Sequence, residues 1–259
     1  MSEFNPYQPP AAPAAPAAGA GAGGFNAAGR TLDAGSGWTW IASAFALFMK
    51  QPGMWVLMFI IYLAAFVVLG FIPLLGGIAN MLLYPVFAGG FMLVCRALEE
   101  NGEIEVAQMF GGFKRRTSEL MIVGVLGIVA FVALVVPVIL VVGGAGVFAA
   151  IKGDAAGWAA MGVTLVLALL VALAVSIPIY MALWFAAPLV LFHGLKPVDA
   201  LKASFSGCLK NIFAFLLYGV ALLVLCVAAT IPLGLGWLVL GPVIFASVYV
   251  AYREIFFDA

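Results

Sequence analysis

Six apolar blocks, with basic residues gathered in every second gap between them, leave this chain few folds. The blocks run approximately over Met54–Ile72, Gly77–Cys95, Leu120–Val142, Gly157–Phe192, Ile212–Ile231 and Leu235–Tyr252. Each has about 20 residues or more, the length of helix that crosses roughly 30 Å of hydrocarbon. Arg30 and Lys50 precede the first block. Arg96, Lys114, Arg115 and Arg116 separate the second from the third, and Lys196, Lys202 and Lys210 the fourth from the fifth. Arg253 follows the last. The other three gaps hold Lys152 alone. Lys and Arg near helix ends are retained on the cytoplasmic side, so the pattern predicts six spans with both termini in the cytoplasm.

Composition supports the same class. Hydrophobic residues make up 66% of the 259 residues and charged residues 8%, against roughly 25% charged in soluble domains. The formal net charge is zero, which argues against nucleic acid as a partner, because phosphate binding demands clustered bases. Lys114-Arg115-Arg116 is the one dense basic patch. It reads as a topology signal, with contact to anionic lipid as the sharper alternative.

Residues 1–35 form a separate region. The run from Pro9 to Gly24 contains only Pro, Ala and Gly, too little apolar surface to offset chain entropy, so a disordered cytoplasmic tail is expected. No signal-peptide pattern precedes the first apolar segment at Trp38. Residues 36–259 are expected to form one six-helix transmembrane domain. Within it two outer connections are tight turns, around Pro73 and around Pro232, while Gly143–Ala156 reads as a longer loop. The fourth block is overlong: thirty-six residues of helix reach about 54 Å. With Pro178 and Pro188 in its second half, a kink or an extension into the cytoplasm is expected.

A shorter amphipathic stretch precedes the first, third and fifth spans. Ile41, Phe45 and Phe48 share one helical face, followed by Lys50. Val106, Phe110 and Phe113 precede Arg115, and Leu201, Phe205 and Cys208 precede Lys210. The spacing of four then three is the pitch of one helix face, and each stretch reads as an interfacial helix. Pro85 and Arg96 are eleven apart, as are Pro242 and Arg253. The fold predicted is an all-α membrane protein made of three parallel repeats, each an interfacial helix plus a transmembrane hairpin, about an axis normal to the membrane.

Chemistry-bearing patterns are sparse. No Asp, Glu, Lys, Arg or His lies well inside a span, which argues against an ion-coupled transporter. Asn80, Thr164, Ser176 and Tyr180 read as glue between helices, or as the lining of a passive route. His193 is the one histidine, an interfacial residue on this reading, and a site built on two histidines is not available. Cys95, Cys208 and Cys226 have no ligand or disulfide spacing. Glu99-Glu100-Asn101-Gly102-Glu103-Ile104-Glu105 lacks a calcium-loop pattern and reads as a solvated turn. Ala160, Thr164, Ala168, Ala172 and Ser176 form a small-residue ladder, suited to packing within the monomer or to a dimer seam. No catalytic, cofactor-binding or metal site is predicted.

The run from Leu183 to Phe192, containing Ala186-Ala187-Pro188, leads through His193-Gly194-Leu195-Lys196-Pro197 into Ala200-Leu201-Lys202-Ala203-Ser204. It resembles a signature of uncharacterised proteobacterial six-helix inner-membrane proteins: an apolar stretch ending in Ala-Pro, a short turn, then an Ala-Leu-x-x-Ser helix. Gly37-Trp38, Pro52 and Trp55 are similar to the opening of that group. The pattern is distantly similar to the membrane domain attached to some glycerophosphodiester phosphodiesterases, whose hydrolytic domain has no counterpart here. The resemblance implies an inner-membrane location and no established activity. Two functions are expected of such a chain. One is a non-enzymatic scaffold or regulatory partner acting through lipid, a protein partner or a second copy. The alternative is a passive carrier or channel for a neutral or amphiphilic solute.

Overall fold

The computed structural model describes residues 24–73 and 75–257. The tail expected to be disordered lies, up to residue 23, outside the described residues. Its remaining stretch, 24–35, behaves differently from the expectation: it is bonded to the folded domain, so the domain begins before residue 36.

Apart from that stretch and the turns, the described residues are helical. The helices are α1 (Ser36–Lys50), α2 (Pro52–Gly70), α3 (Leu75–Glu100), α4 (Val106–Met109), α5 (Thr117–Lys152), α6 (Ala155–Trp184), α7 (Ala186–His193), α8 (Pro197–Lys210), α9 (Ile212–Thr230) and α10 (Trp237–Phe256), with a 3-10 turn at Gly111–Phe113. Among the described residues six helical segments are long and apolar enough to span a membrane, counting α6 and α7 as one. They pair as hairpins: α2 with α3, α5 with α6, and α9 with α10. Helices are the form these blocks must take, since hydrocarbon offers no partner to an open backbone group.

The buried core sits at the end where the bases gather, here called the basic face. The second halves of α3 and α10 and the whole of α7 lie at its centre, whereas α2, α5 and α9 are peripheral. Phe91 and Phe245 stack at 4.3 Å, with Tyr62 edge-on to both at 5.7 and 5.4 Å. Hydrophobic transfer gives little between helices already in lipid, so shape and close approach hold this centre together.

The short helices occupy corresponding places. α4 packs on α3, α8 on α6 and α7, and α1 on α10 and α9. Counting back from Lys50, Arg115 and Lys210, the positions six back (Ala44, Met109, Ser204) and three back (Leu47, Gly112, Gly207) are all buried. So are the positions eight further on, Met58, Val123 and Tyr218. One residue, Gln51 or Asn211, separates α1 from α2 and α8 from α9. The predicted triads pack inward only in part: Ile41, Phe48 and Cys208 are buried, Phe205 is half-buried, and Phe45, Phe110 and Phe113 are exposed. The middle stretch is also broken where one helix was expected, because Gly111 and Gly112 let it press its backbone onto α3. A methyl on Gly112 would fall on the Val86 carbonyl, and one on Gly90 on the Met109 carbonyl.

Two further expectations change. The loop expected over 143–156 is mostly helix. α5 continues to Lys152, and the turn is only Gly153-Asp154, where Gly153 takes φ +65° and Asp154 Oδ1 caps α6 by accepting from the Gly157 amide at 2.7 Å. Gly143, Gly144 and Gly146 suggested a loop, but apolar surroundings keep the backbone bonded to itself. The long fourth span breaks at Phe185, three residues before Pro188, into α6 and α7, and its excess length pairs with α5 in the longest of the three hairpins.

Candidate functional site

Polar side chains concentrate on the basic face, where α3, α7 and α10 end together. On α10, Tyr249, Tyr252 and Arg253 share one side by helical spacing. Tyr249 Oη donates to Glu99 Oε2 at 2.8 Å, and the Arg253 guanidinium meets the same oxygen at 3.0 Å. Arg96 pairs with Glu100 one turn on at 2.8 Å and lies 5.5 Å over the Phe192 ring. His193 ends α7, with Gly194 beyond it in the left-handed region (φ +65°) that glycine adopts without strain. Its Nε2 is hydrogen-bonded to Tyr252 Oη, and Phe25 stacks on its ring at 3.4 Å. All these pairs are partly solvated, so each stabilises modestly, on the order of 1 kcal/mol or less for the ion pairs.

Beside Arg253, Glu254 faces α1. It accepts from Trp40 Nε1 at 2.6 Å and Ser36 Oγ at 3.0 Å. Arg253 therefore ties α10 to α3 while Glu254 ties it to α1. The strap of residues 24–35 runs over this brace. Arg30 Nε donates to the Glu254 carbonyl at 2.6 Å, and Phe25 bridges Phe257. Asn211, almost fully buried, accepts from the Leu32 amide at 2.7 Å and donates to the Arg30 carbonyl at 2.9 Å. Lys210 Nζ donates to the carbonyls of Ala28 and Gly29, both at 2.9 Å. Replacing Asn211 with leucine is expected to release the strap, because a buried side chain that satisfies two of its backbone groups is lost. Limited proteolysis between Ala27 and Asp33 should then outpace the wild-type rate, and equal rates would show that Asn211 does not latch it.

A second polar contact lies deeper. At the α6–α7 break, Ser204 Oγ on α8 donates to the Met181 carbonyl at 2.7 Å and accepts from the Phe185 amide at 2.9 Å. Those are the two groups an unbroken helix would join directly. Ser204 is fully buried, and it is the serine of the Ala-Leu-x-x-Ser run. The break and the serine that repairs it thus belong to one device, with Pro188 supplying the interruption. Cys208, one turn on, points its sulfur at the same Met181 carbonyl at 3.5 Å. Burial pushes its thiol up to about 12, which leaves it protonated and unreactive near neutral pH.

The residues singled out by sequence fall into place around these contacts. Of the acidic run, Glu99 and Glu100 join the brace, Gly102 turns the chain at φ +72°, and Glu105 forms a capping box with Gln108. Thr164 and Ser176 bond to carbonyls of their own helix. With Ala168 and Ala172 they are half-buried beside α5, so most of the ladder packs within the hairpin, while Ala160 is exposed. Among the described residues no group of three or more His, Cys, Asp or Glu converges, and the cysteines are free. The brace and strap escaped sequence reasoning. The matched Pro–Arg spacing marked Arg96 and Arg253 as helix-end bases but carried no sign of their partners.

Six apolar helices joined in hairpins and tied together at one end define a multi-pass membrane protein. The chain is similar to a probable inner membrane protein of Burkholderia thailandensis, 30% identical over 195 residues that cover 73% of this chain and 72% of that protein. It belongs to that protein's family, and its location is the inner membrane. No protein-family profile matches the chain, and no solved structure matches it at a significant level.

Proposed function

We propose that this protein is a non-enzymatic inner-membrane scaffold or regulatory partner that works through lipid and protein contacts. The observation that carries this reading is the α5–α6 hairpin. α5 has 36 residues where α2 and α9 have 19 each, about 54 Å against about 28 Å at 1.5 Å per residue. Its outer part is apolar on every side, with Ile139, Leu140, Val147, Ile151, Leu167 and Leu173 exposed. A straight helix of that length would need a tilt beyond the usual 0–40° to hide in roughly 30 Å of hydrocarbon. A protein surface, from another chain or a second copy, covers the remainder. Photo-crosslinking residues at Val147 and Leu167 in native membranes should yield discrete protein adducts. Labelling of lipid alone would overturn the protein-contact half of the reading.

In the same reading Glu99, Tyr249, Arg253, Glu254 and His193 are each engaged with a neighbouring element, so these groups serve as a brace. The passive-carrier alternative draws on Pro85, Pro137, Pro178 and Pro242. The stacked Phe91–Phe245 pair fills the centre such a route would use, and Pro137 and Pro178 face outward. Solute flux through reconstituted liposomes above the protein-free rate would restore the carrier.

Orientation and repeat belong to this reading too. The basic face lies in the cytoplasm with both termini, and Asp154 at the opposite aqueous surface. A reporter after Ala259 should read cytoplasmic and one at Asp154 extracytoplasmic; the reverse result would invert the topology. The three short helices, each against the preceding hairpin's second helix and α1 against the last, support three parallel repeats closed in a ring. Superposing 38–96 on 198–253 tests this, and a mismatch in helix order or direction would end it. The distant likeness to the phosphodiesterase-attached membrane domain is carried by the 183–204 run.

A further inference from the structure

The amphipathic helix α1 stands off the outer part of the α9–α10 hairpin and leaves an apolar groove of about 530 Å³. Ile41, Ala42 and Phe45 form one wall, and Ala228, Val239 and Val243 face them. The far end is pinched, because Gly236 lies against Ala229 so closely that a side chain there would meet its backbone. At the rim Trp38 is half exposed, the placement that suits an amphipathic ring at headgroup level.

From this geometry we infer that the groove is a binding site for one acyl chain of a membrane phospholipid. Three observations select that occupant. One wall belongs to the interior of two membrane spans, α9 and α10, so the medium at the mouth is hydrocarbon. The lining offers none of the 2–4 polar partners that a buried water requires, so the space is dry. Its size is the third. An apolar cavity of about 150 Å³ holds benzene, and 530 Å³ is scaled to a chain of about 15–20 carbons. A second copy would present side chains of a broad surface, too wide for a slot closed at its far end by Ala229 and Gly236. The site is independent of the partner surface proposed for α5–α6, so the two readings fail separately.

The test uses the full chain in vesicles of phosphatidylethanolamine and phosphatidylglycerol doped with a phosphatidylethanolamine that carries a diazirine midway along one acyl chain. After irradiation, peptide mapping should find adducts concentrated in residues 38–45 and 225–243, above the level on the outward-facing stretch 60–68 of α2, where Ile60, Leu63, Val67 and Val68 are exposed. Ala228→Trp, which narrows the groove, should lower groove adducts by about tenfold, the loss expected when roughly two methylenes are denied burial, and leave the α2 adducts unchanged. The milder Ala42→Leu should lower them less. Equal labelling of groove and α2 in the wild type would reduce the groove to ordinary bilayer contact and overturn the proposal, whether or not either variant folds. So would a photo-crosslinking residue placed at Ala42 that captures residues 1–23 or a second copy in place of lipid.

Discussion

Ser204→Ala is expected to destabilise the folded protein by about 3 kcal/mol or more, at nearly constant side-chain volume. The hydroxyl joins the Met181 carbonyl to the Phe185 amide across the α6–α7 break, and its loss strands both groups. Each buried polar group left without a partner costs about 1–3 kcal/mol. Interhelical hydrogen bonds in bilayers often measure nearer 0.6 kcal/mol, because the loosened state finds other partners. Here Ser204 and Phe185 are fully buried, so substitutes are scarce and the larger figure applies. Thermal unfolding in mild detergent should show a lower midpoint for Ser204→Ala. Ser204→Cys, which keeps a weak donor, should fall between it and the wild type. An alanine variant that unfolds with the wild type would show that the serine does not repair the break.

Gly90→Ala should have an effect of similar size for a different reason. α3 and the α4 turn cross with their backbones in contact, and the added methyl falls on the Met109 carbonyl, a main-chain atom that cannot rotate away. Overpacking of this kind costs about 1–3 kcal/mol, and more where backbone must move. Gly77→Ala and Gly143→Ala are the controls. Neither would meet anything within 4 Å, and each lies in a helix, where alanine is favoured over glycine by up to about 1 kcal/mol. The opposite signs give the experiment its force: Gly90→Ala should lower the unfolding midpoint, and the controls should hold or raise it. Loss of stability in all three alike would point to a general intolerance of the spans and dismiss the crossing as its cause.

How far the chain can be read without its structure follows from which forces are local. The six spans are legible because the cost of leaving an apolar block in water adds residue by residue, whatever the block later packs against. The three short helices are legible ahead of α2, α5 and α9 because their apolar period recurs at a fixed distance from Lys50, Arg115 and Lys210. Which stripe of them packs inward is not. At a membrane surface an apolar residue can satisfy itself against lipid as well as against protein, so the period does not separate exposed Phe45 from buried Leu47. Phe215 illustrates the same limit within a span. Its rings of contact, Trp40, Trp184 and Phe185, come from α1, the end of α6 and the α6–α7 break, and its hydropathy would be identical with any of them absent.

The class of protein, the number of spans, the gathering of bases in alternate gaps and the places of the short helices were thus written in the chain. Each follows from transfer energy and helical period, quantities that a stretch of chain carries without reference to any other stretch. The remainder exists only where distant elements meet. The turn at Gly153-Asp154 replaced an expected loop because apolar surroundings keep even a glycine-rich backbone bonded to itself. Ser204 became a repair for the α6–α7 break, Glu99 a partner for Tyr249 and Arg253, and residues 24–35 a strap. These are single contacts between groups far apart along the chain, from 19 residues for Ser204 and Phe185 to 224 for Arg30 and Glu254. No periodicity records such a contact, because its energy arises only once the two elements have been brought within hydrogen-bonding distance.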